Sequence, residues 1–473
     1  MESKSNKNFD VIVIGSGPGG YVAAIQCAQY GLRTAIIEKY DRLGGTCLNV
    51  GCIPSKALLH SSAVFHGLIK KSYASHGIAC ENVQLDFPKM MERQQKVVVT
   101  SAKGVQFLMD KHNISSFIGQ ASFEDERHIR ITLSDGSVER IQGSKTVIAT
   151  GSKAIIPKFL GKKTDRILTS TDLLALKELP ESLTVIGAGA IGLEMGSVFA
   201  RLGTKVKLIE SMDSILPVMD SAIGKELLRP LKKLGIKFQL NQKVLEAKSE
   251  KESIKLRTQG QGGKELEIES EYCLVAVGRK PNTENLELEN ISLELTASGT
   301  IPVDSSYQTP VPGVFAIGDV IGEPMLAHKA SEEAVCMVRN WFDQDIHLNY
   351  KAIPYVVYTN PEVAAVGLTE SQLETKNIKY KSGTFPFRAL GRARASDELD
   401  GFVKILAEES SSKILGVHIV GARASDLIAE GVLAVENNLK ASDIGLVTHA
   451  HPTFSEAFKE ACMLASEGKT IHI

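Results

Sequence analysis

No excess of one charge sign marks this chain: 54 Lys and Arg balance 55 Asp and Glu, for a formal net charge of −1. That balance gives no reason to expect a nucleic-acid surface, and no acidic run suggests a disordered partner tail. Long hydrophobic runs are missing as well. Apolar stretches such as residues 11–14 and 183–186 are strand-length and far short of the roughly 20 residues a membrane helix needs. Residues 1–10 are short and polar, without the apolar core of a secretory signal. The expectation is a cytoplasmic chain of bacterial type, or a mitochondrial matrix one whose transit segment has been removed, with no membrane contact. Seven cysteines, odd in number and irregular in spacing, do not read as a secreted disulfide framework. In a reducing compartment a useful Cys pair is catalytic rather than structural. Low-complexity segments are absent too, and residues 259–263 read only as a hairpin loop.

What is present is a repeat. At 473 residues the chain exceeds one hydrophobic core, and three or four domains are expected. An apolar strand, Val11-Ile12-Val13-Ile14, runs into Gly15-Ser16-Gly17-Pro18-Gly19-Gly20, then a helix-like stretch and a strand ending in Glu38. Downstream, Leu183-Thr184-Val185-Ile186 runs into Gly187-Ala188-Gly189-Ala190-Ile191-Gly192, again followed by helix and a strand ending at Glu210. In each copy the Glu follows the third Gly by 18 residues. A lone G-x-G-x-x-G is weak, but two with matched acidic ends imply two dinucleotide sites, against ordinary glycine-rich turns. The glycines allow a tight turn, backbone approach to a pyrophosphate and close helix–strand packing, and the helix N-terminus offers free N–H groups. Glu210 would repel a 2′-phosphate, so the second site should prefer NAD over NADP. Two further strand ends, at residues 146–151 and 274–279, resemble one another as if each closes a nucleotide domain. Residues 313–319 read as a buried strand ending in Asp319, and after about residue 346 short β-runs alternate with helices as in a separate α+β domain.

About one βαβ unit into the first repeat lies Gly44-Gly45-Thr46-Cys47-Leu48-Asn49-Val50-Gly51-Cys52-Ile53-Pro54-Ser55-Lys56. Five residues apart on an ideal helix, Cys47 and Cys52 would have Cα atoms roughly 8–9 Å apart, whereas a disulfide needs about 4.4–6.8 Å. The helix must therefore break between them, and Gly51 supplies the freedom. With Pro54 able to restart a helix and Lys56 in its first turn, a thiolate at Cys52 would be stabilised. Near the C-terminus, His449-Ala450-His451-Pro452-Thr453-Phe454-Ser455-Glu456 offers an imidazole and a carboxylate. A bland core or surface histidine and a metal ligand are the competing readings. No third or fourth ligand stands at plausible spacing, and a redox thiol pair needs a base.

These motifs, with MLAHKA at residues 325–330, make the chain similar over essentially its whole length to the flavin-dependent pyridine-nucleotide disulfide oxidoreductases, and within them to the branch that oxidises dihydrolipoyl groups. The resemblance implies an α/β fold of two Rossmann-like FAD/NAD(P)-binding domains plus a C-terminal α+β dimerisation domain. The expected division is 1–150 for FAD, 151–280 for NAD, 281–346 completing the FAD site, and 347–473 as the interface. It implies FAD on Gly15, Gly17, Gly20 and Glu38, with Lys56, Gly119, Thr150, Gly151, Ser152, Asp319, Met325, Leu326, Ala327 and His328 around the rest of the cofactor. NAD would lie on Gly187, Gly189, Gly192, Glu194 and Glu210, with Val244 and Gly278. Cys47 would exchange with dihydrolipoamide, Cys52 would face the flavin, and His451 would accept the proton, oriented by Glu456. In this family that His reaches the site from the other subunit, which implies a homodimer. The implied partners are lipoyl-bearing acyltransferase subunits of 2-oxo acid dehydrogenase complexes, or the glycine cleavage carrier protein. Glutathione reductase-like, mercuric reductase-like and soluble transhydrogenase-like enzymes are the alternatives, and a flavin-binding subunit without turnover is a further one.

Overall fold

The computed structural model describes residues 7–473, so the first six residues of the polar N-terminal stretch lie outside the described residues. The chain divides into two compact units. One runs through Leu58, then takes Phe87–Ile155 and Gly278–Leu348; the other takes Leu59–Asp86, Ile156–Val277 and Asn349–Ile473. Among the described residues no helix is long and apolar enough to cross a membrane.

In the first unit, strands Asn8–Ile14, Thr34–Glu38, Ser115–Ile118 and Val138–Ile148 form the heart of a seven-stranded sheet. Asn8–Ile14 lies between Thr34–Glu38 and Val138–Ile148, parallel to both, with Val11 opposite Thr34 on one side and Lys145 on the other. Strand Val314–Ala316 also joins Val138–Ile148 in parallel, while His128–Thr132 and Gln120–Phe123 extend the sheet antiparallel. The reason for the unbroken apolar run at residues 11–14 is now visible. Val11 and Val13 pack into one core with Ile36, Val147 and Phe315, while Ile12 and Ile14 pack into another with Ala35, Ile37 and Val314. A parallel sheet covered on both faces has no solvent side to alternate with. Helix Phe87–Lys111 covers one face with the three-to-four spacing of Phe87, Met91, Val98, Ala102, Val105 and Met109.

In the second unit, a parallel sheet runs in the order Lys237–Gln239, Lys205–Ile209, Ser182–Ile186, Tyr272–Val275, Ile167–Leu168. A three-stranded antiparallel meander, Gln242–Ser249, Ile254–Gly260 and Glu265–Ser270, accompanies it, and residues 261–263 close its second hairpin as expected. The C-terminal part is a five-stranded antiparallel sheet that includes Glu362–Gly367, Phe402–Glu408 and Ile414–Gly421. Helices Ala424–Glu436 and Glu456–Glu467 pack on it through Ile428, Ala434, Phe458, Ala461 and Ala465.

Candidate functional site

The two fingerprints fold alike, atom for comparable atom. Gly15 and Gly187 take φ of +100° and +104°. A Cβ there would lie 2.4 Å from the carbonyl oxygen of Ala149 and of Ala276 respectively. A Cβ on Gly20 would lie 1.9 Å from the Gly15 oxygen, and one on Gly192 2.1 Å from that of Gly187. Packing inside the chain therefore demands the first and third glycines. The middle pair is different: a Cβ on Gly17 or Gly189 would meet nothing within 4 Å. Each of these residues caps the N-terminus of a helix, Pro18–Gln29 or Ala190–Leu202, without any side-chain cap. Open space over uncapped N–H groups is what a pyrophosphate requires, so the residues present fit the ADP halves of FAD and NAD.

The acidic ends are held the same way. Glu38 is buried and accepts the backbone N–H of Ser16 at 3.1 Å, the Ser16 hydroxyl at 2.6 Å and the Tyr40 N–H at 3.1 Å. Glu210 accepts the Ala188 N–H at 2.8 Å, the Met212 N–H at 3.0 Å and the Ser211 hydroxyl at 3.1 Å. Each carboxylate is thus fixed against its own glycine turn, facing where a ribose would sit. Gly119 donates its N–H to the Glu38 carbonyl at 2.8 Å. Val244 is packed into the core beside Ile209. Glu194, on helix Ala190–Leu202, is buried and accepts the Tyr358 N–H at 3.0 Å.

The cysteine run sits directly on the first fingerprint. The Gly44 N–H donates to the Ser16 carbonyl at 3.1 Å and its hydroxyl at 3.0 Å, and a Cβ on Gly45 would lie 2.6 Å from the Gly17 Cα. Helix Gly45–Val50 carries Cys47, stops at Gly51, and helix Cys52–Ile69 begins at the second cysteine. The expected break is present, and the helix restarts two residues before Pro54. Gly51 leaves the helix at φ −143° and ψ −112°, and in addition a Cβ there would lie 2.9 Å from the Thr46 carbonyl oxygen. Both cysteines are half-buried thiols. Hydrogen bonding to Cys52 pushes the Cys47 thiol up most, followed by burial and the Cys52 charge, while the Lys56 ammonium pulls it down. The arrangement favours the protonated Cys47 thiol beside Cys52.

Thr150, Gly151, Ser152, Gly278 and Asp319 meet in the first unit. The Thr150 hydroxyl donates to the Asn282 carbonyl at 2.7 Å, and the Ser152 hydroxyl donates to Asp319. Arg279 completes this cluster, with Nε donating to the Ser152 Oγ and Nη2 to its carbonyl, both at 2.7 Å. Burial lowers the Arg279 pKa, opposed by the charges of Asp319 and Cys52. The sequence reading missed Arg279; its place in a second copy of the strand-end turn was the available signal. It also missed Lys329 and Glu333 on helix Ala327–Asn340, whose side chains are 1% and 0% exposed. The Lys329 Nζ lies 3.2 Å from Glu333 and donates to the carbonyls of Gly318 and Gly322 at 3.1 Å each. Glu333 accepts the Gly318 N–H at 2.7 Å. This buried pair clamps the turn that carries Asp319. Met325 and Leu326 lead into the same helix, with Leu326 as an N-cap that offers no side-chain bond and Ala327 and His328 in the first turn.

His451 and Glu456 lie in the second unit. The His451 Nδ1 is 2.8 Å from the Glu456 Oε1, and the Thr453 N–H donates to Glu456 Oε2 at 2.8 Å. The His451 side chain is 73% exposed, so the Nε2 edge is free to meet another surface. Burial raises the Glu456 pKa, but the bonds from His451 and Thr453 and the charges of His451 and His472 outweigh it and leave it below the ordinary carboxylate value. Among the described residues no group of three or more His, Cys, Asp or Glu could hold a metal ion.

Residues 9–334 match the family described as pyridine nucleotide-disulphide oxidoreductase, and residues 353–462 match that family's dimerisation domain. The mitochondrial dihydrolipoyl dehydrogenase of Pisum sativum is 46% identical over 474 residues, covering 100% of this chain and 94% of that protein. The mitochondrial dihydrolipoyl dehydrogenase of Homo sapiens is 44% identical, covering 98% and 92%. Among solved structures, LpdA from Mycobacterium tuberculosis aligns with a TM-score of 0.87 at 25% identity, covering 96% of this chain and 98% of that one.

Proposed function

The chain belongs to the pyridine nucleotide-disulphide oxidoreductase family, and from that premise we propose that it oxidises protein-bound dihydrolipoamide to lipoamide through Cys47 and Cys52, using FAD and NAD. The observation that carries this reading is the cysteine pair itself, seated on the first fingerprint with Cys52 beside Cys47. The dimerisation-domain match supports a homodimer. The proposed division assigns 1–150 and 281–346 to the FAD site, 151–280 to NAD and 347–473 to the interface. Lipoyl-bearing acyltransferase subunits or the glycine cleavage carrier are the proposed partners, in the cytoplasm or the mitochondrial matrix.

The residues act in a defined order. With Cys47 and Cys52 joined as a disulfide, His451 of the partner subunit takes the proton of one dihydrolipoyl thiol and the resulting thiolate attacks the Cys47 sulfur; the Cys47–Cys52 bond breaks and Cys52 leaves as thiolate. The imidazolium gives that proton to the departing Cys47 and takes the proton of the second lipoyl thiol. That sulfur then attacks the first, closing lipoamide and expelling Cys47, which regains a proton. Two electrons and two protons have left the lipoyl group, and the charge stays on Cys52. FAD held on Gly15, Gly17, Gly20 and Glu38 would supply the two-electron redox chemistry for the Cys52 thiolate, with NAD on Gly187, Gly189 and Gly192 as the hydride acceptor. Arg279 and Lys56 hold positive charge near the cysteines, and Glu38 and Glu210 fix the ribose ends.

The test is steady-state oxidation of dihydrolipoamide by the wild type and Glu210→Gln with NAD and NADP. NAD should be strongly preferred. Removing the charge that repels a 2′-phosphate should narrow the kcat/KM ratio by roughly tenfold. A wild type that favours NADP, or that ignores dihydrolipoamide, would contradict the reading.

A further inference from the structure

Beside the proposed base stands a second histidine–carboxylate pair that the mechanism does not use. His449 is 7% exposed, and its Nε2 lies 2.8 Å from the Glu430 Oε1. Its Nδ1 lies 3.1 Å from the Val447 carbonyl oxygen. A carbonyl oxygen only accepts hydrogen bonds, and so does an ionised carboxylate. Each ring nitrogen thus faces an acceptor, and the side chain bridges the carboxylate and the carbonyl.

The position of this pair gives it a purpose. Residues 447–455 connect helix Ala441–Leu446 to helix Glu456–Glu467 and carry His451. The far end of that loop is fixed by Glu456 through Thr453 and His451. Its near end is fixed at Val447, whose carbonyl accepts from His449 and also from Lys459 Nζ at 3.1 Å. Glu430 comes from helix Ala424–Glu436, a different element, so the loop is tied across the domain. The Glu430 charge also reaches the buried thiol of Cys462, which burial and then that charge push up. We propose that His449, held between Glu430 and Val447, is a positioning residue that sets the place of His451 in the site. This rests on the reading of His451 as the proton acceptor.

Two variants separate charge from bulk. His449→Gln loses one of the two ring contacts, and should slow dihydrolipoamide oxidation by roughly 10- to 100-fold through misplacement of the base. Reduction of a dye by NADH, which needs no proton from the lipoyl side, should not change. Glu430→Gln lets the amide donate to Nε2 of a neutral imidazole whose Nδ1–H still reaches Val447. It should keep the wild-type rate. His449→Gln with the wild-type rate, or with both half-reactions lost alike, overturns the proposal. So does a Glu430→Gln variant slowed as much as His449→Gln. If the wild type itself does not oxidise dihydrolipoamide, the functional reading fails instead. The latch is then read by amide exchange over residues 447–453, which should be faster in His449→Gln than in Glu430→Gln; equal exchange overturns it.

Discussion

Replacing His451 with Ala is expected to slow NAD-linked oxidation of dihydrolipoamide by roughly 10²–10⁴-fold, the usual worth of a positioned acid–base group, while NADH reduces an artificial dye at the wild-type rate. The asymmetry follows from where the protons are. Dihydrolipoamide must give up two, and His451 has one nitrogen committed to Glu456 at 2.8 Å, leaving Nε2 as the base. NADH brings hydride to the other end of the relay and needs no such group. Glu456→Gln should cost less, since an amide oxygen still accepts from Nδ1 but no longer favours the imidazolium that forms during transfer. The pH dependence has a definite sign. Because the Glu456 carboxyl lies below its ordinary value, the orienting bond is fully present above that ordinary value and is lost as pH falls through the lower, folded one. Equal loss of both activities in His451→Ala would show damage to the fold rather than removal of a base.

The second large effect is one of stability. Lys329→Met should destabilise the protein by about 3–5 kcal/mol, the cost of leaving one member of a buried ion pair uncompensated, and should lower the FAD retained after purification. Lys329 and Glu333 are 1% and 0% exposed, so water cannot take the place of the lost ammonium. The two carbonyls at Gly318 and Gly322 also lose their donor, and buried acceptors left without partners add to the cost. The turn they frame carries Asp319, which accepts from Ser152; loosening it is felt at the cofactor. Glu333→Gln in the same chain removes the stranded charge while keeping an acceptor for the Gly318 N–H, and should recover part of the loss. Denaturant midpoints and the flavin-to-protein absorbance ratio measure both effects. A single variant as stable as wild type would mean that the pair contributes nothing beyond its shape.

What the sequence could and could not disclose divides along physical lines. The fingerprints were legible because their glycines answer to local geometry: a Cβ at Gly20 or Gly192 collides with the chain's own backbone, and no other residue type is tolerated there. The broken helix between Cys47 and Cys52 was legible from helical rise alone. Gly51 was legible as the break, but the Thr46 carbonyl that crowds it was not, because that is a contact formed only in the fold. Arg279 and the Lys329–Glu333 clamp were invisible because their partners, Ser152 and the 318–322 turn, lie across folds of the chain that no spacing encodes. A Lys and a Glu at i and i+4 on a helix look like any solvent-facing pair; only burial reveals the difference. His449 was passed over for the same reason. Its neighbour two residues on had a carboxylate in the same motif, while its own carboxylate, Glu430, lies on another helix.

The most direct test of the account is thiol mapping of the intact protein under anaerobic conditions. Oxidised enzyme and enzyme reduced by one equivalent of NADH are each alkylated, digested and mapped by mass spectrometry. The account predicts that Cys47 and Cys52 are unreactive and linked before reduction, that both become alkylated after it, and that added lipoamide restores the link. Cys47 and Cys52 equally alkylated with and without NADH would contradict the relay.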